Sequence, residues 1–233
     1  MRIFTNHTLI RRNHNLGRAL VFIGLGTLAV GFVLSFTNPE AVLVVMAAAL
    51  VGTLVSQAGI TFLNRWGRNP RTDEMIDAAM KGLDNRFSVF HFSLGADHLV
   101  TGPAGTYAIN ARTEEGDILY EGESFYQVRP RSGLLRRGGR SELRSLESDA
   151  AKQAESAKAA LLSNLDPPEE IAVVPMTVFL SDSVNVRTDP EVNGQIVLHR
   201  SKLKDWLRHA SGGTRLNKTK VKQLADTLGL EAE

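Results

Sequence analysis

The chain has 233 residues and carries 27 Lys+Arg against 25 Asp+Glu, a formal net charge of +2 with a sequence pI near 9.0. It contains no cysteine, which fits a reducing compartment. The basic surplus does not mark the whole chain as a nucleic-acid binder: residues 64–233 carry 23 Lys+Arg against 24 Asp+Glu, so the excess sits in the N-terminal tail.

That tail, residues 1–18, holds Arg2, Arg11, Arg12 and Arg18. Two uncharged apolar runs follow, Ala19 to Phe36 (18 residues) and Ala41 to Leu63 (23 residues), separated by Thr37-Asn38-Pro39-Glu40. As helices they reach roughly 27 and 34 Å, against a hydrocarbon core of about 30 Å. Residues 19–63 are therefore predicted to be a two-helix transmembrane hairpin in the bilayer. A cleaved signal peptide would account for the first run alone, but that run exceeds an ordinary signal core and a second full-length span follows at once. Arginines flank both outer ends, with Arg65, Arg68 and Arg71 after the second run, whereas the turn holds only Glu40. The positive-inside rule then places both termini in the cytoplasm, and the expected location is a bacterial cell membrane.

Gly24, Gly26, Gly31 and Gly52, with Ala29, Ala47, Ala48, Ala49 and Ala58, permit close helix–helix approach. The absence of any Asp, Glu, Lys or Arg inside the spans argues against an ion path or proton relay. The hairpin reads as an anchor; homo-oligomerisation through the glycine faces is the alternative.

Residues 64–233 are enough for one core of normal size. Pro70, Thr72, Asp73 and Glu74 give helix-start signals, and Met75, Ile76, Ala79, Met80 and Leu83 recur at helical spacing, predicting a helix of about 12 residues. Strand character follows at Phe87–Phe92, His98–Thr101 and Thr106–Arg112, the last two joined by a tight turn at Gly102-Pro103-Ala104-Gly105. Gly116-Asp117 turns the chain before Ile118–Tyr120, and Ser124–Val128 adds a further strand. Residues 129–144 hold Arg129, Arg131, Arg136, Arg137, Arg140 and Arg144 with one acid, Glu142, and read as an exposed loop. An alanine-rich helix is predicted from Leu143 to Leu165, a strand buried on both faces from Ile171 to Leu180, and a short strand at Ile196–Leu198. Two small helices, near Ser201–Ala210 and Lys218–Leu228, complete an α/β domain with a mixed sheet flanked by helices.

Asp97 precedes one predicted strand and faces a second, on which Asn110 and Arg112 share a side by the two-residue period. The stretch Ala96-Asp97-His98-Leu99-Val100-Thr101-Gly102-Pro103-Ala104-Gly105-Thr106-Tyr107-Ala108-Ile109 closely resembles the central motif of the NERD family, the nuclease-related domain, itself similar to restriction-endonuclease-like PD-(D/E)XK proteins. Glu74 on the opening helix, Gln153 on the long helix and the strand Val173–Phe179 extend the resemblance over roughly residues 70–230. It implies a restriction-endonuclease-like sheet after the two transmembrane helices, with Mg²⁺ as cofactor if the site is active. Such a site needs oxygen ligands for the ion, a metal-activated water and a nearby cation.

The resemblance implies catalytic roles for Asp97, Asn110, Arg112 and Gln153 and metal ligation by Glu74 and Asp97. The family's Glu-x-Lys falls here on Asn110-Ala111-Arg112. Asn110 offers a carbonyl oxygen without charge, and Arg112 offers a charge that cannot be deprotonated. Glu114, two residues beyond Arg112, shares its face if the strand continues and is the candidate replacement carboxylate. For Asp97 the structural alternative is a turn cap, and for His98 a packed histidine. Two functions are expected: a membrane-anchored, catalytically degenerate binding or scaffold module, for nucleic acid or a protein partner, or a metal-dependent nuclease with an altered site. The arginine segment adds three readings: a solvated loop, a contact with the anionic leaflet, or a grip on nucleic-acid phosphates.

Overall fold

The computed structural model describes residues 1–129, 138–166, 171–210 and 214–232. The chain forms two compact units, one made of Met1–Asn6 together with Thr72–Glu233, the other of His7–Arg71. The first residues are thus a strand rather than a tail. β1 (Arg2–Thr5) runs parallel to the strand at 88–91, with Thr5 opposite His91, and the Phe4 ring stacks on Phe90 at 4.7 Å. Ile3 and Phe4 suit a pleated edge, and their pairing covers backbone donors and acceptors that an edge strand would otherwise present.

The hairpin unit contains α1 (His7–Thr37) and α2 (Val42–Trp66). Both helices are long and apolar enough to cross a membrane. Their outward side chains are apolar, Phe22, Phe36 and Leu43 being 69%, 71% and 82% exposed, which no water-facing core helix would show. Gly17, Gly24 and Gly31 recur every seven residues on α1; Gly17 meets Gly59 of α2, Gly24 meets Gly52 and Ser56, and Gly31 meets Ala48. A methyl group at Gly59 would sit 2.6 Å from the Val21 backbone nitrogen, and one at Gly24 would collide with the Ser56 hydroxyl. The small residues therefore serve contact within the hairpin. Gly26 differs, with open space around it.

In the other unit α3 (Thr72–Met80) is shorter than its apolar spacing suggests, with Leu83 buried beyond its end. β2 (Ser88–His91), β3 (His98–Gly102) and β4 (Gly105–Arg112) form an antiparallel meander, turned at Pro103-Ala104. β5 (Gly116–Glu121), β6 (Ser124–Arg129) and β7 (Gly139–Glu142) then build a second sheet. The chain returns through α4 (Leu146–Asn164) to β8 (Val173–Phe179), which lies parallel to β4. β9 (Val184–Arg187) joins the second sheet, and β10 (Glu191–Val192) and β11 (Gln195–His199) close the first, before α5 (Arg200–His209) and α6 (Lys218–Leu228). The main sheet has the order β1-β2-β3-β4-β8-β11-β10 and the smaller one β7-β6-β5-β9.

Period-two alternation sorts the main sheet's side chains. Val89, Val100 and Ile109 meet Ile76 and Met80 of α3 and Leu203 and Leu207 of α5 on one face. Phe90, Leu99 and Ala108 meet α4 and α6 on the other. Ala150, Ala154 and Ala157 line the buried side of α4, so that helix lies close to the strands. Gly95 is pressed so tightly on the Ser156 carbonyl that a Cβ there would collide with it.

The arginine-rich segment departs from the expected loop. Gly139–Glu142 pairs with β6, Arg140 opposite Val128 and Arg129 opposite Gly139. A charged strand at a sheet edge resists pairing with other chains, which reconciles the composition with strand structure. Arg131, Arg136 and Arg137 lie outside the described residues.

Candidate functional site

The end of β2, the start of β3 and the end of β4 meet at one end of the main sheet, since His91 pairs with His98 and His98 with Ile109. A tight connection, residues 92–97, joins β2 to β3; the Phe92 N–H donates to the Asp97 carbonyl at 2.8 Å. Phe92 holds φ at +54°, a left-handed conformation that costs an aromatic residue energy and is retained only where its surroundings fix it.

On the α4 face the expected residues come together. The Asp97 backbone N–H donates to Gln153 Oε1 at 3.3 Å, so Gln153 holds the turn that carries the carboxylate. Asn110 is buried, and its amide nitrogen donates to the Leu146 carbonyl at 3.5 Å. Arg112 is bound by two acids. Its Nε and Nη2 donate to one oxygen of Glu114, at 2.9 and 2.6 Å, and its Nη1 reaches Asp149 Oδ2 at 3.4 Å. Glu114 does share the Arg112 face, as strand continuation required, but its carboxylate is spent on that arginine. Its Oε2 is buried and has no hydrogen-bond partner among the described residues. Asp149 and Gln153, four residues apart, project from one side of α4.

Glu74 has a different place. It is exposed on α3, whereas Asp77, three residues further along that helix, reaches the sheet. Asp77 Oδ1 lies 3.0 Å from His91 Nε2, and His91 Nδ1 lies 2.7 Å from His98 Nδ1. Both rings are buried. The chain is satisfied when His98 donates from Nδ1 to His91 and His91 donates from Nε2 to the Asp77 carboxylate. This pair of histidines stands on the α3 face, opposite the Arg112 cluster. His98 is thus a packed, hydrogen-bonded histidine.

The donor set does not fit a divalent ion. Mg²⁺ requires near-octahedral oxygen ligands; here a guanidinium holds Glu114 and Asp149, and the Asn110 amide is directed at a backbone carbonyl. Among the described residues, Glu74, Asp97 and Glu114 included, no group of three or more His, Asp or Glu side chains is arranged to hold a metal.

Two of the segment's arginines are likewise engaged. Arg140 pairs with Glu121 at 2.7 Å and stacks 3.9 Å over the Tyr126 ring, and Arg144 pairs with Glu142 at 2.7 Å. The Arg144 hydrogen bond and then the Ser124 hydroxyl hold the Glu142 carboxyl below its ordinary range. A groove of about 820 Å³ opens at the other end of β4, between Tyr107, Ile196, Leu198 and Trp206. Burial, with the nearby Glu191 carboxylate second, pushes the Tyr107 phenol up. The groove walls combine aromatic and aliphatic side chains with polar and charged ones, Glu191, Gln195, Lys202 and Asp205 among them, and none of the motif residues lines it.

In comparisons with known proteins, no family model, no curated protein and no solved structure matches the chain. The site residues overlooked in the sequence were Asp77, His91 and Asp149. Asp149 was accessible from spacing, one helical turn before Gln153; Asp77 follows Glu74 by three residues and so borders the same side of α3.

Proposed function

We propose that the chain is a membrane-anchored, NERD-like binding or scaffold domain without metal-dependent phosphodiester hydrolysis. Residues 19–63 hold it in the bilayer, and the arginine flanks put residues 1–6 and 72–232 on the cytoplasmic side. The order helix, three antiparallel strands, helix, parallel strand (α3-β2-β3-β4-α4-β8, with β5–β7 inserted between β4 and α4) supports the restriction-endonuclease-like reading of the core.

One observation carries the loss of hydrolysis: Arg112 is clamped between Glu114 and Asp149. Water activation by a bound ion needs open carboxylate oxygens, whereas here a fixed side-chain cation neutralises them. The domain keeps the scaffold of a phosphodiesterase site and lacks its reactive part. Incubation of the full chain in detergent with single- and double-stranded DNA and RNA, with Mg²⁺ or Mn²⁺, is expected to give no cleavage above a metal-free control. Metal-dependent cleavage that disappears in Asp97→Ala would establish the altered-nuclease alternative instead.

A further inference from the structure

The two helices of the hairpin carry a one-sided charge distribution, which orients the anchor and also gathers arginines at one depth. From Met1 to Thr72 the only acid is Glu40, in the turn at the far end. At the other end Arg11, Arg12 and Arg18 are exposed on α1, and Arg65 and Arg68 are exposed at and beyond the end of α2. Arg11 and Arg12 lie just past the first turn of α1, and that turn has no acid.

Contacts within the hairpin fix the depths of these residues. A methyl at Gly17 would lie 2.9 Å from Phe62, and one at Gly67 would lie 2.8 Å from the His14 ring. Arg18 therefore stands level with the last apolar residues of α2, and Arg65 stands between Arg18 and His14. Arg11 to Arg18 spans about 10 Å of helix axis. A headgroup layer is of similar depth, about 5–8 Å on each side of the hydrocarbon. Trp66 lies in the same band, buried, with the Arg65 guanidinium 5.1 Å from its ring centroid.

We infer that this collar, Arg11, Arg12, Arg18, Arg65 and Arg68, binds the phosphate groups of anionic phospholipids in the leaflet next to the domain. Guanidinium forks match phosphate oxygens, and the long stems let Arg18 and Arg65 reach the headgroups from the edge of the apolar band. This rests on the membrane reading above.

The test uses the full chain in nanodiscs of phosphatidylcholine alone or mixed with phosphatidylglycerol, with retained lipids identified by native mass spectrometry. Phosphatidylglycerol is expected to be enriched over phosphatidylcholine on the order of tenfold, with the enrichment falling as salt rises. The triple variant Arg11→Gln, Arg12→Gln, Arg18→Gln is expected to lose most of it. Equal retention of the two lipids by the unaltered chain, or undiminished enrichment in the triple variant, would overturn the inference. Alkaline carbonate extraction separates the two levels. A chain that stays in membranes but shows no anionic preference loses only the collar, whereas a chain released by carbonate loses the membrane reading itself. If the triple variant does not insert, the salt dependence of the unaltered chain decides, and salt-independent retention counts against the collar.

Discussion

Replacing Arg112 with methionine is expected to destabilise the domain by about 2–3 kcal/mol and to make its stability depend on divalent cations. The guanidinium and Glu114 are each about four-fifths buried, with side-chain exposures of 20% and 19%, and Asp149 is 38% exposed. Removing the cation leaves two carboxylates without a counter-charge; breaking a fully buried pair costs about 3–5 kcal/mol, and partial exposure reduces that. Arg112→Met therefore melts roughly 5–10 °C lower in metal-free buffer. Added Mn²⁺ or Ca²⁺ should recover part of the loss, because Glu114 and Asp149 then need a cation from solution. Arg112→Lys keeps the charge without the fork and should fall between the two. The check is thermal unfolding of the three proteins with and without divalent ion. An Arg112→Met protein as stable as the parent, and indifferent to metal, would show that the clamp is not what neutralises these acids.

Phe4→Ala is expected to be as damaging, although it lies outside the apparent domain. Phe4 is 4% exposed, stacks on Phe90 and belongs to the core shared by α4 and α6. Truncating a buried phenylalanine costs about 3–5 kcal/mol. The same contact predicts the behaviour of a fragment that starts at Thr72. Without β1 it exposes the outer edge of β2 and the face of Phe90, and it should aggregate or melt well below the whole chain. Size-exclusion chromatography and denaturant unfolding decide the matter. A monomeric Thr72–Glu233 fragment with parental stability would mean that β1 only decorates the sheet.

These two residues also mark where the sequence was legible and where it was not. The hairpin needed only length and charge, and the β3–β4 turn was readable because Pro103 fits a tight turn between Gly102 and Gly105. Lys218–Leu228 was predicted with its observed bounds, since Asn217 caps the Lys220 N–H at 2.9 Å and Gly229 at φ +62° stops the helix. β1 escaped notice because four residues carry no period, and its partner lies about 86 positions away across the hairpin. β7 escaped because arginine content outweighed its pairing with β6. β9 and β10 are short, although Asn193-Gly194, with φ of +49° and +74°, is the standard signal for the two-residue turn between β10 and β11.

At the site, Asn110, Arg112 and Glu114 were placed on one face by strand alternation alone. Their chemistry was not readable from that spacing. It depends on how α4 lies over the sheet, which decides that Asp149 reaches Arg112 and Gln153 reaches the Asp97 turn. On α3 the rotation is set by burial of Ile76 and Met80, which brings Asp77 to His91 and leaves Glu74 exposed. Sequence spacing proposes neighbours; helix rotation selects among them.

The central claim is that the Arg112 guanidinium, rather than a divalent ion, neutralises Glu114 and Asp149. Calorimetric titration of Mn²⁺ into the full chain in detergent, at a concentration suited to millimolar binding, tests it most directly. No heat beyond dilution is expected for the parent protein, and measurable binding for Arg112→Met. Saturable Mn²⁺ binding by the parent, lost on Asp97→Ala, would contradict it.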